Sequence, residues 1–178
     1  MKKVLFMIMA FSLCLVSCKN KNNQFEFPGF YDYETVMNDD IIKYLGDGIF
    51  YESQIIFDTN VCEDNAKVVY IRNIFQLGNT CLQVIHKQDG TLIEERALGF
   101  WIEEDMRIDY MDSVDLSLID AIDSLISYDT VKFETKYCTL RRPVSQEFYQ
   151  NALYIFGDQE GNVFRAVDSR TGDVIEVL

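Results

Sequence analysis

Residues 80–100 read TCLQVIHKQDGTLIEERALGF: two runs rich in apolar and β-branched residues joined through Gln88-Asp89-Gly90. Asp-Gly between such runs is a strong hairpin signal, because the tight turn needs positive φ and glycine adopts it at little cost. Two antiparallel strands are therefore expected, over Thr80 to Lys87 and Thr91 to Phe100. Working outward, Ile49 to Phe57 and Lys67 to Phe75 are equally rich in β-branched and aromatic residues and read as strands. Toward the C-terminus, Val131 to Leu140 reads as a further strand, followed by a polar connection through Arg141-Arg142-Pro143. Ala152 to Phe156 and Val163 to Val167 flank a second turn, Asp158-Gln159-Glu160-Gly161-Asn162. Ser169 to Asp173 turns once more into Val174 to Leu178.

Two segments carry a helical period instead. From Tyr33 to Leu45, the residues Met37, Ile41, Tyr44 and Leu45 fall on one face, and Gly46 follows where a left-handed cap is wanted. From Asp112 to Ser127, the residues Leu118, Ile119, Ile122, Leu125 and Ile126 form an apolar stripe opposite Asp115, Asp120 and Asp123. Asp112 or Ser113 is placed to cap its start. The expected fold is α+β, an antiparallel β-sheet with two helices packed on one face.

The two hairpins align. Leu82-Gln-Val-Ile-His-Lys-Gln-Asp-Gly-Thr-Leu-Ile and Leu153-Tyr-Ile-Phe-Gly-Asp-Gln-Glu-Gly-Asn-Val-Phe share apolar positions and a Gln-acid-Gly turn. That suggests two helix-plus-sheet units, subdivided as 28–110 and 111–178, although unrelated hairpins share such features too. The ending Ala166-Val167-Asp168-Ser169-Arg170-Thr171-Gly172-Asp173-Val174-Ile175 resembles that of PepSY and PepSY-like domains, whose last hairpin reads like Val-Asp-Ala-Lys-Thr-Gly-Glu-Val-Leu. The resemblance covers about the last third of the chain, and the first half lacks the motif. It is structural rather than catalytic, since Asp and Gly make the turn. It implies two PepSY-like repeats as an extension of the fold, and contact with a peptidase or another exported protein, inhibitory in kind. The whole chain also resembles the small Bacteroides-type lipoproteins, and neither resemblance implies an activity.

The N-terminus supplies an address. Lys2 and Lys3 precede an apolar stretch from Val4 to Val16, too short for the ~20 residues that span a bilayer, and then Leu15-Val16-Ser17-Cys18. This is the three-part pattern of a secretory signal, and the last four residues resemble a bacterial lipobox. Residues 1–17 are expected to be removed between Ser17 and Cys18, with Cys18 lipidated. Two or more acyl chains anchor a protein stably where one is marginal. Residues 18–27, polar at first, read as a flexible tether, and 28–178 as a single domain. Lys19 after the cysteine, in place of the Asp of inner-membrane retention, leans the anchor toward the outer membrane.

Removing residues 1–17 leaves 161 residues (178 minus 17) and a charge of 14 minus 29, or −15. Such acidity repels nucleic acid and anionic headgroups, so neither nucleic-acid binding nor membrane contact beyond the lipid is expected. Of the five cysteines, Cys14 leaves with the signal, and Cys62, Cys81 and Cys138 remain beside Cys18. One disulfide, for example Cys62 to Cys81, or three buried thiols are both compatible with the pattern.

Little catalytic chemistry is legible. The lone histidine, His86, sits beside the Asp89-Gly90 turn without a nucleophile motif and reads as a partly exposed strand residue. No zinc spacing accompanies the cysteines, and Asp158 to Asn162 starts like a calcium loop without completing one. No catalytic residue, metal or cofactor is assigned. The acidic pairs Asp39-Asp40, Glu94-Glu95 and Glu103-Glu104-Asp105 could serve a carboxylate hydrolase only if the fold converged them. The aromatics Phe25, Phe27, Phe30, Tyr31 and Tyr33, and Phe100-Trp101, either anchor the N-terminal segment or form a recognition surface. The expected function is a non-enzymatic envelope lipoprotein binding an exported protein or peptide. A carboxylate hydrolase and an accessory subunit of a surface complex are its alternatives.

Overall fold

The computed structural model describes residues 30–44, 48–87, 89–100, 102–128, 134–143 and 150–176. Residues 1–29, which include the expected signal segment, Ser17, Cys18 and the expected tether, and Gly46 and Trp101 lie outside the described residues. The chain is α+β, with helix α1 (Phe30–Tyr44) leading into four strands, β1 (Gly48–Phe57), β2 (Val68–Leu77), β3 (Thr80–Lys87) and β4 (Leu92–Leu98). A connection with one 3-10 turn (Glu104–Met106) and a short helix α2 (Tyr110–Ser113) leads to α3 (Leu118–Tyr128). Four more strands follow: β5 (Tyr137–Arg141), β6 (Leu153–Gly157), β7 (Val163–Asp168) and β8 (Val174–Glu176).

All eight strands form one sheet in the order β4-β3-β2-β1-β5-β6-β7-β8, and each neighbouring pair is antiparallel. Each half is a helix followed by a meander, and the halves meet where β1 pairs with β5, from Glu52 opposite Arg141 to Ile56 opposite Tyr137. Strand side chains alternate between faces. One alternating set, including Phe50, Ile55, Ile71, Phe75, Val84, Cys138, Leu140, Tyr154, Phe156 and Val167, is buried under the helices. α1 lies over β2, α3 lies over β7 and β8, and the helices touch each other.

Local chemistry places the helix ends. Val114 to Ser117 break the expected continuous helix, and α3 starts at Leu118. The break arises because the Asp115 and Leu116 amides donate to the Ser169 carbonyl at 3.0 and 2.9 Å instead of entering a helix. Ser117 then caps α3, its Oγ accepting from the Asp120 amide at 3.1 Å and donating to Asp120 Oδ2 at 2.7 Å. Glu34 on α1 accepts the Leu118 amide at 3.0 Å, tying the two helices. Leu118, Ala121, Ile122 and Leu125 are buried, whereas Ile126, expected in the stripe, is 38% exposed. β5 begins at Tyr137, later than the sequence suggests, with residues 134–136 preceding it as irregular chain.

The two aligned hairpins are not equivalent in position. Residues 82–93 span the third and fourth strands of the first half, while 153–164 span the second and third of the other. The positional counterpart of the Gly90 turn is the Gly172 turn within the PepSY-like ending. Both glycines have positive φ, 76° and 78°. Both also lie under a helical segment: a Cβ on Gly90 would meet Val36 on α1 at 3.2 Å, and one on Gly172 would meet Ser124 on α3 at 3.4 Å and Leu116 at 3.3 Å.

If the α3 stripe holds the second half of the sheet, Leu125→Ala should lower unfolding free energy by about 2 to 5 kcal/mol in urea titration. Ile42→Ala, at a position 80% exposed on α1, should change it by less than about 0.5 kcal/mol.

Candidate functional site

The helix-free face of the sheet carries a polar ladder. In β1, Glu52 and Gln54 alternate with core residues; Arg72 does so in β2, Gln83 in β3, Glu94 and Arg96 in β4, and Arg141 in β5. Arg72 donates through Nε to Gln83 at 2.5 Å and through a terminal nitrogen to Gln54 at 2.9 Å. Gln54 donates to Glu52 at 2.7 Å, and Gln83 donates to Glu94 at 3.3 Å. The ends are ion pairs, Arg96 with Glu94 at 3.1 Å and Arg141 with Glu52 at 3.9 Å. One connected network thus runs across five strands, from β5 to β4.

These side chains line a groove of about 650 Å³, with Ile56, Ile85 and Ile155 among its apolar lining and Tyr70 and Tyr137 along it. A further depression of about 320 Å³ continues past Tyr137 and Asp158 toward Glu63 and Glu134. Burial pushes the Glu52 carboxyl above its ordinary pKa, while the charges of Arg141 and Arg72 and the Gln54 bond pull it back. The connection after β4 folds over one end of this face. The Ile102 amide donates to Gln76 Oε1 at 3.3 Å, Phe100 stands edge-on to Tyr51 at 6.2 Å, and the Ile108 amide donates to the Phe50 carbonyl at 2.9 Å.

The acidic pairs divide rather than converge. Asp39 is exposed and Asp40 buried, while Glu94 joins the ladder and Glu95 turns to the opposite face to accept from Tyr44 Oη at 2.6 Å. Glu52 and Glu94 stand three strands apart, about 14 Å at the usual strand spacing, wider than the carboxylate pairs of glycosidases. Asp158 is a turn residue, held below the ordinary carboxylate range by Asn162, whose side-chain and main-chain nitrogens donate to it at 2.7 and 2.9 Å. Cys62, Cys81 and Cys138 are not joined in a disulfide; Cys62 is half-buried and the other two are buried. Of the aromatics, Tyr33 is buried and Phe100 is 44% exposed. Among the described residues, no group of His, Cys, Asp and Glu is arranged to hold a metal, and no helix is long and apolar enough to cross a membrane.

His86 corrects the sequence reading: it is 7% exposed, with Asp40 of α1 set against its ring. Its Nε2 donates to the two Asp40 oxygens at 3.0 and 2.9 Å, and Asn73 donates to the same carboxylate at 2.7 Å. Its Nδ1 donates to the Gly90 carbonyl at 3.1 Å. A main-chain carbonyl and a carboxylate are both acceptors, so this geometry suits a ring that donates from both nitrogens, the imidazolium form. Burial disfavours that charge, but the bond to Asp40, its charge and the Gly90 bond outweigh burial and raise the pKa. Shallow space of about 210 Å³ adjoins it, lined by Thr35, Val36, Asp39, Asp89 and Gly90. The trio clamps α1 to β2 and β3.

In comparisons with protein-family models, with curated proteins and with solved structures, nothing matches this chain.

The clamp sets a pH dependence. The folded histidine keeps its proton to higher pH than the unfolded one, so its stabilisation is complete below the unfolded value near 6.5 and is lost as pH rises through the raised folded value. Urea midpoints should therefore fall between pH 6 and 7.5, a range below the ordinary thiol values in which the lone histidine is the main side chain to titrate. His86→Leu should flatten that slope and cost about 3 kcal/mol at pH 6, because Asp40 loses its buried partner.

Proposed function

We propose that this protein is a lipid-anchored binding module of the bacterial cell envelope, non-enzymatic, and that it takes a segment of another exported polypeptide on the open face of its sheet. The observation that carries this reading is the connected ladder from Arg141 to Arg96 along a groove of about 650 Å³. Arginine and tyrosine are enriched in protein interfaces, and lysine is depleted. The groove presents Arg72, Arg96, Arg141, Tyr70 and Tyr137, with no lysine among its described lining residues. The ladder also orders the long side chains before a partner arrives, which lowers the entropy lost on binding.

The separation of Glu52 from Glu94 supports binding over carboxylate hydrolysis, since each is committed to an arginine rather than to the other. The PepSY-like ending makes a peptidase one form the partner would take. The lipobox-like Leu15-Val16-Ser17-Cys18 supports the anchor, and Lys19 after it leans that anchor toward the outer membrane.

Capture from detergent-solubilised host membranes tests both parts. The wild-type lipoprotein should retain a defined exported protein, and Thr139→Glu, at a β5 position lining the same groove, combined with Tyr70→Ala should lose it at least tenfold while keeping the wild-type circular dichroism. Cys18→Ala should leave the membrane fraction. Equal retention by the groove variant removes the open face as the binding surface, and membrane retention of Cys18→Ala removes the anchor.

A further inference from the structure

We infer that the outer edge of the sheet, strand β4, pairs with β4 of a second copy of this chain, so that two molecules share one continuous sheet. The inference is independent of what the open face binds. Among the described residues, β4 is an edge strand of seven residues, with a bulge at Ile93 near its start. Leu92 and Ile93 on β4 are 45% and 49% exposed, large apolar side chains on a strand whose outer backbone groups have no neighbour in the sheet among the described residues.

The sequence of β4, Leu92-Ile93-Glu94-Glu95-Arg96-Ala97-Leu98, is complementary to itself when read antiparallel about Glu95. Glu94 faces Arg96 of the second copy, and Arg96 faces its Glu94. The regular stretch from Glu94 to Leu98 carries this centre, and the bulge at Ile93 bounds it on one side. Opposite charges directly across a strand pair each stabilise it by about 0.2 to 1 kcal/mol. The one like pair, Glu95 with Glu95, is met within each copy by Tyr44 Oη at 2.6 Å and Lys43 Nζ at 3.3 Å.

The register is selected as well as allowed. A two-fold axis perpendicular to the sheet keeps the helices of both copies on one face and centres the pairing on a single residue. Moving the centre to Glu94 sets glutamate against glutamate, and moving it to Arg96 sets arginine against arginine. Only the Glu95 centre pairs the charges. Tethering two copies to one membrane would raise their effective concentration and favour so short an interface.

The test is oxidative cross-linking of the full lipoprotein in lipid vesicles. Residues directly opposite in an antiparallel pair bring their Cα atoms within disulfide reach. Glu95→Cys should therefore cross-link to itself well above the wild-type background, whose described cysteines are one half-buried and two buried thiols. Glu94→Cys mixed with Arg96→Cys should cross-link more than either alone. Adding Arg96→Glu to Glu95→Cys should slow cross-linking about tenfold, since two attractive pairs become repulsive. Adding Glu94→Arg as well should restore it. Absence of the Glu95→Cys product, or a product insensitive to Arg96→Glu, overturns the inference. Circular dichroism of each exposed-edge variant establishes that the chain remains folded.

Discussion

The architecture depends on the pairing of β1 with β5. Without it there would be two four-stranded meanders, each under one helix, and each too small to bury much apolar surface. Joined along Glu52 to Ile56, they share a core in which Ile55 faces Cys138 across the junction. The Glu34 bond to the start of α3 repeats that connection one layer up. On the other face, the same pairing brings Arg141 to Glu52 and so completes the polar ladder.

The halves are alike in topology and differ in chemistry where it matters. Under α1 the sheet buries the charged and polar trio Asp40, His86 and Asn73. Under α3 the buried set includes Leu125, Phe156 and Val167. A buried ion pair is a weak source of stability but fixes alignment, because any displacement strands a charge. The first helix is thus located by specific bonds, and the second by packing and by its cap.

Much of this was legible in the sequence, because strand and helix periods and Asp-Gly turns are local signals. The α+β class, the two helices, the eight strands and the turn nature of Asp158 to Asn162 all rest on such signals. What failed was non-local. The late start of α3 depends on Ser169, more than fifty residues further on, and the burial of His86 depends on Asp40 in a helix that precedes it by two strands. The ladder escaped notice because Gln54, Arg72 and Gln83 sit in strands dominated by apolar residues, and only the cross-strand register shows that they touch. The alternation of Glu52 and Gln54 was its available sign. The hairpin alignment matched turns by composition, whereas position in the meander matches Gly90 to Gly172.

The β1 to β5 junction also orders the assembly of the chain. Each pairing within a half joins consecutive strands, while Ile55 and Cys138 meet only by closing a loop of about 80 residues, at a correspondingly larger entropic cost. A chain emerging N-terminus first can form the β1 to β4 meander before β5 exists, leaving the long edge of β1 open in the interval. That edge places Ile56 next to Ile55 and Phe57, a run prone to pairing with the wrong strand. The completed protein hides it at the centre of the sheet, so its exposure to misassembly is confined to the period before the second half of the chain has folded against it.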